Sequence, residues 1–160
     1  MDAHIDIAGH LSRLWACVGC NTDDVRLLDA MLTVGEAPVD DADHPTDWLF
    51  LNSGIVFGIS GSRLDRIDIN FVYDRAGRLN GVVVPSWLVE DWRERPDRET
   101  VRHTFSRHCE LEFASGPVPE APPRPGAPPP RDVFLTSGVA VTVPYGRDGR
   151  AMSMNLAPTA

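Results

Sequence analysis

The phrase Phe50-Leu51-Asn52-Ser53-Gly54-Ile55 returns 84 residues later as Phe134-Leu135-Thr136-Ser137-Gly138-Val139. In both copies an apolar run enters a Ser-Gly pair, and β-branched or aromatic residues follow. That pattern marks a β-hairpin whose glycine takes the left-handed conformation needed for a tight reversal. Forming such a hairpin twice within 160 residues leaves few architectures open. Flanking segments agree as well. Asp24-Val25-Arg26 is matched by Thr100-Val101-Arg102, 76 residues on, and the alternation Ile67/Ile69/Phe71 by Met152/Met154/Leu156, 85 residues on. The offsets drift only in loops, where a diverged duplication accumulates insertions.

The remaining segments complete each unit. Residues 4–18 place Ile7, Leu11, Leu14, Trp15 and Val18 at helical spacing, and Gly19 is a natural stop. A second helix is expected over residues 21–32. Asn21 or Thr22 can cap it, Asp23 and Asp24 suit the positive end of its dipole, and Val25, Leu28 and Leu32 form its inward stripe. Gly35 ends it. Ile67, Ile69 and Phe71 alternate with Asp68 and Asn70 in a half-buried strand, and residues 79–85 predict a further strand closed by Pro85. In the second half, residues 86–92 are short and helical or irregular, and residues 96–108 predict a helix capped by Asp97. Residues 116–131 hold eight prolines in sixteen positions, too stiff and donor-poor for helix or sheet. A hairpin, a turn at 146–150 and a last strand with Met152, Met154 and Leu156 on one face follow.

The expected fold is therefore α+β, with two tandem repeats. Each has one or more helices followed by a three- to four-stranded antiparallel sheet, the helices packed on one face. The units span 1–86 and 87–160, the second carrying the proline-rich loop 116–131, as two small domains or one continuous one.

Groups suited to catalysis are few and badly spaced. Cys17-x-x-Cys20 lacks the two further thiolates or imidazoles of a zinc site, and it ends a helix where a redox pair should open one. Both sulfurs are assigned to packing. With Cys109 the count is odd, which argues against a disulfide framework. His103 and His108 are five residues apart, roughly 500° around a helix, and do not share a face. With Cys109 they are what a small hydrolase or metal-dependent enzyme would use, the alternative reading. Ser53 and Ser137 belong to turns, not to a nucleophile elbow. Phosphate-loop, dinucleotide and metalloprotease signatures do not occur. No catalytic residue, cofactor or metal is expected.

Charge points to a binding role. The formal net charge is −8 with a pI near 5.0, which disfavours nucleic acid and acidic membranes and suits a basic partner. Between Glu36 and Asp47 lie five carboxylates and no lysine or arginine. The expected partner-binding set is Glu36, Asp40, Asp41, Asp43 and Asp47, with Trp48 and Trp92 as aromatic anchors. A third reading makes the chain a secretion adaptor or chaperone-like module that uses the proline-rich loop. The N-terminal residues lack a basic start followed by an apolar run, and no stretch reaches roughly 20 apolar residues, so the expected location is cytoplasmic.

A capped Val-Arg helix, an F-L-x-S-G hairpin, the turn Tyr145-Gly146-Arg147-Asp148-Gly149-Arg150 and an alternating last strand occur in this order. This succession resembles small bacterial immunity proteins of contact-dependent and polymorphic toxin systems. It is also similar to the tandem helix-plus-sheet repeats of β-lactamase-inhibitor-like domains. The resemblance covers most of the chain and is one of architecture. It departs from the inhibitors in lacking a secretion signal and paired cysteines, which speaks against a periplasmic or secreted target. It implies a non-catalytic protein that occludes a toxin domain, often a basic nuclease, and it transfers no site residues.

Overall fold

Both expected hairpins form, each with its glycine at positive φ. The computed structural model describes residues 11–40, 42–43, 45–50, 53–71, 89, 92, 95–106, 110–115 (backbone only), 130–135 and 138–159. The first hairpin joins β2 (Asp47–Phe50) to β3 (Ile55–Ser60), closing at Phe50↔Ile55, with Gly54 at φ 72°. The second joins β6 (Arg131–Leu135) to β7 (Val139–Pro144), closing at Leu135↔Ala140, with Gly138 at φ 126°. A side chain at either glycine would strain the backbone.

Around these hairpins lie β1 (Val39–Asp40), β4 (Arg63–Asn70), β5 (Glu110–Ser115) and β8 (Ser153–Pro158). All eight strands form one antiparallel sheet in the order β1-β2-β3-β4-β8-β7-β6-β5. The seam between the two halves of the chain is β4–β8, with Ile67 opposite Leu156 and Ile69 opposite Met154. Strands from 1–86 and 87–160 thus share a sheet. Two strands were not foreseen: β1 lies inside the acidic segment expected to be a loop, and β5 follows the last helix.

Three helices are found among the described residues: α1 (Leu11–Cys17), α2 (Val25–Val34) and α3 (Arg98–Phe105). The expected cap of α2 at Asn21 or Thr22 is corrected: the Asp24 carboxylate accepts the Arg26 amide, and the helix starts at Val25. Asp97 accepts the Thr100 amide at 2.8 Å and caps α3 as expected. Gly35, at φ 78°, donates its N–H to the Met31 carbonyl and closes α2. One core unites helices and sheet. Leu11, Leu14, Trp15, Leu27, Val101 and Phe105 meet Phe50, Phe57, Ile67, Ile69, Phe134, Val141, Met154 and Leu156. Trp15 of α1, Phe105 of α3 and Phe134 of β6 form a chain of ring contacts at 6.0 and 4.9 Å. Each such side chain contributes about 1.5–3 kcal/mol on burial. Strand periodicity turns the alternate residues, among them Asp68, Thr142 and Asn155, to the other face.

One face assignment is corrected. Val25, Leu28 and Leu32 were expected inward, but they are 74, 55 and 72% exposed. The buried face of α2 is formed by Leu27 and Ala30, with Met31 and Val34 packed against the core. Residues 4–10, the strand expected at 79–85, most of 86–91 and the proline-rich stretch up to residue 129 lie outside the described residues.

Candidate functional site

The expected binding residues separate into two groups. Asp40 and Asp43 are exposed at and beside the β1 edge, and Glu36 is half-buried just after α2. Trp48 is partly buried against the core and lies opposite Asp40 in the β1–β2 ladder. Asp41 lies outside the described residues.

Asp47 and Trp92 are corrections, because neither presents a surface to a partner. Asp47 is 3% exposed, and its carboxylate accepts Arg66 Nη2 at 2.7 Å from across the sheet. Arg66 also donates to Asp68, which accepts from the Asn155 amide, so the carboxylate belongs to a polar network on the face away from the helices. Trp92 is 1% exposed; its indole N–H donates to Thr104 Oγ1 at 3.1 Å, and its ring stands edge-on to Phe71. It is a core residue whose one polar group is satisfied.

What the surface offers in their place is α2. Val25, Leu28 and Leu32 follow one another at i, i+3 and i+7 and so line one side of the helix, with the exposed Asp29 among them. Asp23 and Asp24 stand at the N-terminal end of this stripe. Glu36 and Asp40 follow its C-terminal end, four residues (35–38) separating α2 from β1. Between residues 21 and 43 the sequence holds seven carboxylates and a single arginine. That arginine, Arg26, turns back on Asp24 through two side-chain hydrogen bonds of 3.1 and 2.8 Å. The Arg26 guanidinium and then its backbone N–H hold the Asp24 carboxyl down at about 2. The patch is anionic at neutral pH.

No family model, curated protein or solved structure matches this chain.

The other groups with chemical potential have structural partners. Asp132, fully buried at the helix-facing side of β6, accepts hydrogen bonds from Arg98, Arg102 and the Tyr145 hydroxyl, with Arg98 stacked 5.1 Å over the tyrosine ring. Burial pushes the Asp132 carboxyl up, but its three donors outweigh burial and hold it at about 2. Burial, then the carboxylate it donates to, drives the Tyr145 hydroxyl well above its usual range. This cluster pins α3 to β6. Cys17 and Cys20 are free, buried thiols hydrogen-bonded to one another. That bond, then burial, raises Cys17, while the same bond lowers Cys20. Cys17 also donates to the Leu14 carbonyl at 3.1 Å. His103 is exposed on α3, while His108 and Cys109 lie outside the described residues. Ser53 Oγ reaches the Phe50 carbonyl at 3.4 Å across its turn. Among the described residues no three His, Cys, Asp or Glu side chains gather as metal ligands, and no helix is long and apolar enough to cross a membrane.

The sequence contained the signal for the outward stripe, and it was assigned to the wrong side. α2 has two apolar stripes, Val25/Leu28/Leu32 and Leu27/Ala30/Met31/Val34, each at helical spacing. Only packing decides between them.

Proposed function

We propose that this chain is an immunity-type binding protein that neutralises a cytoplasm-acting protein toxin, a basic nuclease by preference, by occluding it. The observation that carries this reading is the anionic, partly apolar surface of α2 and the β1 edge, mounted on a well-packed sheet. Carboxylates of this kind steer a cationic partner and repel anionic competitors, with association faster by roughly 10–10³-fold. The test is the product of the adjacent gene in the native host. It should be toxic alone, harmless when co-expressed with this chain, and should co-elute with it at about 0.15 M salt, where steering is already screened beyond roughly 8 Å. A harmless neighbour, or a pair that does not co-elute, rejects the reading. Reversing the charge of Asp40, Asp41 and Asp43 should slow association by about 10-fold with little change in dissociation. Unchanged kinetics in stopped-flow mixing would remove this segment from the interface.

We also propose that the two halves descend from one duplicated unit. Each contributes four strands to the sheet, in the mirrored order β1-β2-β3-β4 and β8-β7-β6-β5. Three backbone features recur at corresponding places. Leu64 N–H donates to Cys20 O as Ala151 N–H does to Pro96 O, and Asn70 N–H donates to Gly54 O as Thr159 N–H does to Gly138 O. Isolated bridges pair Asn21 with Arg63 and Asp97 with Arg150. The ladders also revise one offset. Phe57 pairs with Ile67 and Val141 with Leu156, so the counterpart of Ile67 is Leu156, 89 residues on, rather than Met152.

A further inference from the structure

We propose that the outward face of α2 is the docking surface, and that its occupant is a folded cationic protein whose contact patch is apolar at the centre and rimmed by lysine or arginine. The inference rests on the binding-protein reading above, but not on that partner being a toxin. Val25, Leu28 and Leu32 lie outside the core, to which α2 contributes Leu27, Ala30, Met31 and Val34. Three large aliphatic side chains at i, i+3 and i+7, each more than half exposed, form a strip about 10 Å long at roughly 1.5 Å per residue. That length spans two helical turns and fits the groove or crossing helix of a partner.

Charge selects the occupant. Asp23 and Asp24 bracket one end of the strip, Asp29 lies within it, and Glu36 and Asp40 flank the other end. Nucleic acid and anionic lipid are repelled by that ring. A second copy is disfavoured for the same reason: a two-fold pairing of α2 helices would set Asp29 against Asp29 and one acidic rim against the other. A protein surface with lysine or arginine around an apolar centre satisfies both the strip and its rim. Trp92, an anchor expected from sequence, is buried, and Val25, Leu28 and Leu32 take that role beside the partly buried Trp48.

The experiment places a photo-reactive phenylalanine analogue in the full chain at position 28, 32 or, on the opposite sheet face, 142. The chains are expressed in the native host and irradiated, and cross-linked peptides are identified by mass spectrometry. The expected result is adducts from 28 and 32, with at least 10-fold less from 142, to a partner peptide carrying aliphatic residues next to lysine or arginine. Adducts to a second copy of this chain, to an acidic surface, equally from 142, or to nothing, each overturn the proposal. A cationic partner that proves harmless to cells leaves this surface standing and rejects the toxin reading. A neutralised toxin that cross-links only from 142 does the reverse.

Discussion

Asp40 and Asp132 are both aspartates on strands of one sheet, yet they do opposite work. Asp40 is exposed on the two-residue edge strand, whereas Asp132 is fully buried beneath Arg98, Arg102 and Tyr145. Nothing in the local sequence separates them, because the partners of Asp132 lie 34, 30 and 13 residues away. Asp47 was misassigned for the same reason: Arg66, its partner, comes from two strands further on. Asp132→Asn should destabilise the fold by about 3 kcal/mol, since it removes the charge that two arginines and a phenol were placed to meet. The pH dependence follows from the direction of the shift. The folded carboxyl titrates at about 2, below its ordinary value of 3.8, so its contribution is complete above that value and disappears as pH falls through about 2. Urea unfolding at pH 7, 4, 3 and 2 should show wild type and Asp132→Asn converging as the pH drops. A constant gap across the series would mean that ionisation of Asp132 is not what holds α3 to β6.

At the level of elements, the hairpin turns, the Asp97 cap and the Gly35 stop were legible, whereas the start of α2 and its orientation were not. Asn21 or Thr22 was expected as the cap, and Asp24 caps a helix that begins at Val25. The turn at Gly54, the Asp97 cap and the Gly35 stop each act through a neighbour within four residues, so their roles can be inferred from a short window. α2 is different, because it is apolar on most of its circumference, with Arg26, Asp29 and Thr33 as its polar residues. Its register on the core depends on what α1 and the sheet offer. This assignment has a stability test that needs no partner. Leu27→Ala should cost about 2–5 kcal/mol, as expected for an emptied core site. Leu28→Ala, one residue later, should stay within about 0.5 kcal/mol of wild type. Equal losses in chemical denaturation would place both leucines in the core and remove the exposed strip.

For the whole molecule, the joining of the halves is the feature that sequence patterns do not carry. The hairpins announce themselves locally, but Ile67 meets Leu156 across a separation of 89 residues, and either strand's alternation would suit other neighbours. Because β4 and β8 pair directly and one core runs beneath both, the chain should unfold in a single transition, with far-UV dichroism and tryptophan fluorescence coincident. Two separated midpoints would show the halves to be independent. The same strand order leaves β1, which follows α2 after four residues, at one edge of the eight-stranded sheet. The most direct measurement is the affinity of the Leu28→Asp/Leu32→Asp variant for the purified product of the adjacent gene, at fixed salt and with its dichroism matched to wild type. Loss of two central apolar anchors should weaken binding by 100-fold or more, chiefly through faster dissociation. An unchanged affinity would contradict the assignment of this surface.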